Sequence, residues 1–315
     1  LKNKLPVIYT EDFLRHLTSP HHPESPKRLE AILDVLKRGE LGNLLEIVPP
    51  EPASFDWLTQ IHDPYYIIRL EEYCLRGRSH ICGTDNEICY DSFEVAKLAA
   101  GAVIKAVDLA EKGVQVIFCP VRPPGHHAER ALAMGFCLFN NVAIGANYWQ
   151  KSYQKRILIL DWDAHHGNGI QNAFYANDQV FYISIHENPR LSFPGTGYAE
   201  ERGEGPGEGY TLNIPLPLDS GDVAYIEVFE DLIDSAVKSF QPEGIIIAAG
   251  FDAHRDDDMS FMNLTTAGFA EMTEFVRYWS ESFKAPVISV LEGGYELESL
   301  TASVETHLKV LLGLD

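Results

Sequence analysis

Five short runs of β-branched and aliphatic residues each give way at once to glycine, proline and titratable side chains, and this repeated junction limits the folds open to the chain. The runs cover residues 116–119, 157–160, 180–185, 245–248 and 287–291. They are almost wholly apolar, without the polar alternation of a half-exposed sheet, so they are expected as parallel strands covered on both faces. Helical periods lie between them. The clearest opens at Asp91, with Glu94 three residues on. It continues through Val95, Leu98, Ala99, Ala102, Val103, Ala106, Val107 and Ala110 until Gly113. Another is expected from Ser25 as cap and Pro26 in the first turn to Gly39. Further helices are expected over about 141–151, 223–240, 265–283 and 297–312. The alternation predicts an α/β fold: one doubly wound, mainly parallel sheet flanked by helices. No internal repeat or long linker interrupts it, so residues 1–315 read as a single domain.

Charge and cysteine usage narrow the function. Forty-six acidic against 25 basic side chains give a formal charge of −21, which argues against a basic nucleic-acid surface. An acidic surface suits cationic partners such as lysine-rich segments or polyamines, although it also serves solubility. Cys74, Cys82, Cys89, Cys119 and Cys137 are odd in number and hold no CxxC pair. That spacing disfavours a disulfide framework and a cysteine zinc site, and fits a reducing cytoplasm. No apolar run approaches the ~20 residues of a membrane span. The start, Leu1-Lys-Asn-Lys-Leu-Pro6, does not read as a signal peptide, and it lacks a Met.

The residues after each strand carry the chemistry. They are Arg122-Pro-Pro-Gly-His126-His127, Asp161-Trp-Asp163-Ala-His165-His166-Gly-Asn168, His186-Glu187, Gly250-Phe-Asp252-Ala-His254-Arg-Asp256-Asp257-Asp258 and Glu292-Gly-Gly-Tyr295. In parallel α/β sheets the carboxyl ends of the strands form the ligand crevice, so these loops are expected to meet. Asp163 and His165, two apart at a strand exit, can begin a divalent metal site or form a buried hydrogen-bonded pair. Asp256, Asp257 and Asp258 are the expected source of a third ligand, with a solvated turn as the other reading. His126 and His127 are too close for both to serve one ion readily, and suit general acid–base work, with Asp161 and Asn168 available to orient them. A charged partner on one ring and a neutral one on the other would separate their proton affinities. Tyr295 can donate to a developing oxyanion, although a Tyr after two glycines is also an ordinary turn residue.

Taken in order, these segments resemble the zinc-dependent histone deacetylase family, which shares the arginase-deacetylase fold. The resemblance runs from His22-Pro-Glu-Ser-Pro-Lys-Arg28 to the last helix. It also includes Met134-Gly-Phe-Cys-Leu-Phe-Asn-Asn141 and Phe193-Pro-Gly-Thr-Gly197. Asn168 and Leu291-Glu-Gly-Gly-Tyr295 resemble the class II branch and its bacterial relatives, the histone deacetylase-like amidohydrolases. The resemblance implies one zinc ion held by Asp163, His165 and Asp257, with Asp258 standing where the family usually has proline. It implies that His126 pairs with Asp161 and His127 with Asn168, with His127 as general base, and that Tyr295 polarises the scissile carbonyl. Gly135, Phe136 and Phe193 would line a narrow acyl-lysine tunnel, with Gly294 beside it and Leu264 at its rim. Asp85 would hold the substrate backbone, Arg28 would border an internal acetate cavity, and a structural potassium ion would use Asp161 and Ser184.

The expected function is therefore removal of acetyl or other short acyl groups from lysine side chains of proteins or peptides. A deacetylase of acetylpolyamines is the nearest rival. Relatives of that kind place a carboxylate at the tunnel mouth, where Leu264 gives none, although Glu187, Glu200 or Glu201 could supply one. A dinuclear manganese ureohydrolase needs more bridging carboxylates than the sequence offers. A non-catalytic acyl-lysine binder fits poorly with Tyr295 and a full ligand set. Fe²⁺ or Co²⁺ would suit the Asp/His donors as well as Zn²⁺. Neither nucleic acid nor membrane is expected as a partner, and a homo-oligomer is left open.

Overall fold

In the computed structural model, which describes residues 4–314, all five apolar runs lie side by side as strands of one sheet. Leu1-Lys2-Asn3, half of the segment read against a signal peptide, and Asp315 lie outside the described residues. The strands are β1 (Leu5–Ile8), β2 (Leu45–Val48), β3 (Val116–Cys119), β4 (Ile157–Asp161), β5 (Val180–Glu187), β6 (Thr211–Leu216), β7 (Gly244–Ala249) and β8 (Val287–Leu291). Their order is β2-β1-β3-β8-β7-β4-β5-β6, and every pairing is parallel. Strands β4, β5, β7 and β8 are buried along their whole length, which is why their sequences show no alternation.

The strands that sequence periodicity does not reveal are β1, β2 and β6. Strand β2 is a half-exposed edge, and β6, the other edge, alternates in burial and contains Pro215. An edge tolerates proline and polar residues because one side of its backbone needs no partner. Strand β1 carries Pro6, which also obscures the pattern.

Among the described residues, ten helices flank the sheet: α1 (Lys27–Arg38), α2 (Phe55–Ile61), α3 (Pro64–Leu75), α4 (Ser92–Ala110), α5 (Asn141–Tyr153), α6 (Asn168–Phe174), α7 (Asp222–Val228), α8 (Asp234–Phe240), α9 (Thr266–Phe283) and α10 (Leu297–Leu311). The stretch expected as one helix over 223–240 is α7 and α8 joined by a π-turn at Phe229–Ile233. Two expected caps act otherwise. Asp91 precedes α4 without a capping bond and pairs with Arg15 at 2.5 Å. Ser25 gives its backbone carbonyl to the Arg28 N–H, and α1 begins two residues later. Among the described residues, no helix is long and apolar enough to cross a membrane. All five cysteines are unpaired.

Topology sets where function can reside. β1–β3 are laid to one side and β4–β6 to the other, with β8 and β7 between β3 and β4. The loops leaving β3, β8, β7 and β4 therefore gather where the winding reverses, the usual crevice of such sheets. A buried ionic platform supports two of these loops. Glu24, Arg28 and Arg122 are wholly buried. Arg122 grips Glu24 with two donors, at 2.5 and 2.8 Å, and Arg28 reaches it at 3.3 Å. Arg28 also donates to the carbonyls of Gly294 at 2.6 Å and Glu292 at 2.5 Å. The loop after β3 and the loop after β8 are thus fastened to one carboxylate.

Burial alone would raise the Glu24 carboxyl, but Arg122 and then Arg28 outweigh it and hold it at about 2, against an ordinary 4.5. A carboxyl depressed in the folded state stabilises the fold fully above the ordinary value, and that contribution is lost as pH falls through the folded one. Glu24→Gln is expected to cost on the order of 3–5 kcal/mol at neutral pH, since it strands two buried cations. In urea titrations the gap to wild type should narrow between pH 4.5 and 2. A gap independent of pH would show that the charge on Glu24 is not what matters.

Candidate active site and metal centre

Strands β4 and β7 are registered neighbours, and each delivers a carboxylate just past its end. Asp163 follows β4 by two residues, and Asp252 follows β7 by three. His165, two beyond Asp163, turns its Nδ1 to within 3.2 Å of Asp163 Oδ1 and 3.0 Å of Asp252 Oδ2. One ligand atom from each of Asp163, His165 and Asp252 lies within 4.8 Å of the others. Backbone donors aim the remaining oxygens. The Gly293 N–H donates to Asp163 Oδ2 at 2.8 Å, and the Ala164 N–H donates to Asp252 Oδ1 at 2.9 Å. Gly293 is required here, since a Cβ would stand 2.5 Å from Asp252 Oδ2 and 2.6 Å from Asp163 Oδ2.

Both carboxylates are 1% exposed. Burial and the adjacent Asp163 push the Asp252 carboxyl above its ordinary range. Two buried carboxylates and an imidazole that converge in this way form a donor set suited to one divalent cation with positions left open.

The third member of this cluster corrects the sequence expectation. Asp257 was expected as the ligand, but its carboxylate is spent on backbone. It accepts the N–H groups of Tyr295 at 2.5 Å, Glu296 at 3.0 Å and Met259 at 3.1 Å, and so braces the Tyr295 loop. The signal for Asp252 was present: Asp-Ala-His occurs twice, at Asp163–His165 and at Asp252–His254, each at a strand exit. Its second histidine turns elsewhere, with His254 Nδ1 accepting the Asp256 N–H. Asp256 and Asp258 are exposed, in keeping with the solvated-turn reading.

Leu264 is a second correction. It is fully buried, with its N–H on the Ala253 carbonyl, because the chain folds back after residue 258. Met259 lines the cavity instead.

The two histidines after β3 stand side by side with ring centres 3.9 Å apart. His126 Nδ1 lies 3.2 Å from Asp161 Oδ2, and His127 Nδ1 lies 2.8 Å from Asn168 Oδ1. Burial would lower His126, but Asp163 and Asp161 beside it outweigh that and hold it at about 10. His127 has no such carboxylate partner, and burial and the neighbouring His126 hold it well below the usual histidine range. One ring is thus cationic and the other neutral near pH 7. Glu292 accepts the N–H groups of Gly125 and His126 at 2.7 and 3.1 Å, which ties the histidine turn to β8.

A cavity of about 310 Å³ opens onto these groups. His126, His127, Asp163 and His165 lie at its inner end, and Tyr295 shares its wall. Burial keeps the Tyr295 hydroxyl protonated, far above its ordinary range. Gly135, Phe136 and Phe193 also line it. Gly135 has φ +56°, and a Cβ there would come within 2.3 Å of His127 Cδ2, so only glycine lets the wall approach the ring. Asp85 accepts the Gly135 N–H at 3.0 Å and also faces the cavity. Leu191 and Phe261, at 65% and 66% exposure, form an apolar mouth.

Sequence reasoning did not foresee the part played by Glu187. It lines the cavity, but its oxygens accept from the Phe261 N–H and the Ser192 hydroxyl, each at 2.5 Å. Glu201 is likewise engaged by Gln171 at 2.6 Å and by the Gly197 N–H at 3.2 Å, while Glu200 is exposed. Arg28 and Gly294 lie behind Tyr295 rather than on the cavity wall, with the Arg28 guanidinium 4.9 Å from the Tyr295 ring centre. Asp161 and Ser184 are registered neighbours on β4 and β5.

Comparison with known proteins places the chain in a family. The histone deacetylase domain family matches residues 22–311. A probable deacetylase of Archaeoglobus fulgidus is 40% identical, covering 93% of this chain and 81% of that protein. Histone deacetylase 10, chloroplastic, of Oryza sativa subsp. japonica is 39% identical, covering 93% and 70%. The crystal structure of the HDA15 HD domain superposes with a TM-score of 0.92 at 34% identity, covering 98% of this chain and 90% of that one.

The ligand assignment is open to a direct test. After loading with Zn²⁺ and desalting, Asp252→Asn is expected to lose bound metal, measured by mass spectrometry of the elements. Asp257→Asn should retain it while unfolding at a lower temperature. Loss of metal from Asp257→Asn with retention in Asp252→Asn would reverse the assignment.

Proposed function

The chain belongs to the histone deacetylase family, and from that premise we propose that it hydrolyses acetyl or other short acyl amides on lysine side chains of proteins or peptides. The observation that carries this reading is one cavity lined by Asp163 and His165 of the Asp/His/Asp cluster, a histidine pair of unequal proton affinity and Tyr295, with Asp252 beside the first two. Asp163, His165 and Asp252 would hold one divalent ion, taken as zinc. When bound, such an ion polarises the amide carbonyl and makes a neighbouring water more acidic.

The chain's own residues complete the chemistry. Neutral His127 takes a proton from the attacking water at Nε2, because Nδ1 is engaged by Asn168. Tyr295 donates its hydroxyl to the carbonyl oxygen as charge gathers there. His126, held cationic by Asp163 and Asp161, steadies the negative charge, and a proton passes from the histidine pair to the departing amine. Gly135, Phe136 and Phe193 enclose the aliphatic lysine stem and exclude water, and Asp85 accepts from the substrate backbone. A potassium ion beside Asp161 and Ser184, and a cytoplasmic location in keeping with five free thiols, belong to the same proposal.

Two features favour a lysine substrate over a polyamine. The mouth is lined by Leu191 and Phe261, and Glu187, a cavity-lining carboxylate that could have met a cationic amine, already has both oxygens committed. A peptide backbone with its lysine inserted buries that collar, whereas a free polycation would gain little from it.

Tyr295→Phe is expected to lose on the order of 10²–10³ in turnover, as for an oxyanion donor. His127→Ala should abolish turnover and keep its metal. Near wild-type rates in either variant would remove that residue from the mechanism. On a panel of acetyl-lysine peptide and N-acetylputrescine, kcat/KM should favour the peptide by at least about tenfold. The opposite preference would overturn the substrate reading and leave the chemistry intact.

A further inference from the structure

We propose that Glu129 is a positioning residue that decides which nitrogen of His127 carries the proton. The inference rests on the reading of His127 as general base. A primary amide can show a ring nitrogen either its oxygen or its NH₂, and the two choices select opposite tautomers. With oxygen facing Nδ1, that nitrogen must carry hydrogen, and the lone pair lies at Nε2, free to take a proton. With NH₂ facing Nδ1 the lone pair lies there instead, and Nε2 cannot act as a base. His126 has no such ambiguity, since the Asp161 carboxylate only accepts. His127, paired with the amide of Asn168 at 2.8 Å, depends on what holds that amide.

The far end of Asn168 is surrounded by acceptors. Its Nδ2 donates to Glu129 Oε1 at 2.6 Å, and lies 3.3 Å from the His127 carbonyl and 3.2 Å from Met134 Sδ. Glu129 is the nearest of the three and the one that carries charge, so it makes the strongest of these bonds. Turning the amide over would set the Asn168 oxygen against a carboxylate. Glu129 is itself fixed: Asn172 Nδ2 reaches its two oxygens at 2.8 and 3.0 Å, and its backbone carbonyl lies 2.9 Å from His62 Nδ1. Its side chain lines a separate surface cleft of about 130 Å³ with Gln60, Arg130 and Asn172, so it acts without touching substrate. The chain Glu129, Asn168, His127 thus carries an acceptor's orientation from that cleft to the reacting centre.

Steady-state kinetics of single and double variants test this. Glu129→Ala should lower kcat by about tenfold, the scale of one hydrogen bond to a charged group, with KM and bound metal unchanged. Glu129→Gln, whose side-chain oxygen still accepts from Asn168, should restore most of the turnover. Glu129→Ala placed on Asn168→Ala should add no further loss. Unchanged kcat in Glu129→Ala, equal loss in the alanine and glutamine variants, or full additivity on Asn168→Ala would each overturn the inference. Histidine-selective ¹⁵N spectra read the tautomer without a destabilised variant. Wild type should show His127 protonated at Nδ1, and protonation at Nε2 would also overturn the proposal. His127→Ala separates the two levels: if it retains turnover, the base reading itself fails. If it is inactive while Glu129→Ala is unaffected, only the role of Glu129 fails.

Discussion

Negative charge buried at the carboxyl ends of parallel strands is the constraint that organises this molecule. Asp161, Asp163, Asp252 and Glu292 are each 1% exposed or less. Carboxylates removed from water so completely are tolerable only where donors or cations meet them. The fold supplies both. Backbone N–H groups of Ala164, Gly293, Gly125 and His126 point at the acids, and His126 becomes a cation between Asp161 and Asp163. The remaining excess of charge falls on Asp163 and Asp252, the place where a divalent cation would best relieve it.

Such a site must also be rigid, and its rigidity comes from groups outside the cavity. Glu24 anchors Arg122, which begins the histidine turn, and Arg28, which caps the carbonyls of the Gly-Gly-Tyr loop. Asp257 braces the same loop from the other side through the N–H groups of Tyr295 and Glu296. Glu292 and Glu129 then tie the histidine turn to β8 and to α6. Four acids that face away from the cavity thereby fix the positions of the groups that face into it.

Much of this was legible in the chain, and the exceptions have physical causes. Central strands with both faces covered need apolar residues throughout, so residues 116–119 and 287–291 read directly as β3 and β8. The edges have no such need and were silent. The strand-exit rule brought out Asp163, His165, His126, His127 and Tyr295, because the ends of central strands converge by topology. It pointed to Asp252 as well, but three consecutive aspartates drew attention five residues too far, to a position whose work is bracing a turn. Leu264 failed for a related reason: the register of a loop that doubles back is set by contacts such as Glu187 with Phe261, which no periodicity encodes. Glu129 could not be found at all from spacing, since its partners come from α6 and its role appears only when donors and acceptors are matched atom by atom.

The central claim is that one ion is held between β4 and β7 by two carboxylates and an imidazole. X-ray absorption at the zinc edge of the reconstituted protein addresses it most directly. The account predicts a shell of light oxygen and nitrogen scatterers, including the outer-shell pattern of a single imidazole, with one ion per chain. Sulfur in that shell, several imidazoles, or a second metal at the ~3.5–4 Å spacing of a two-metal site would contradict it.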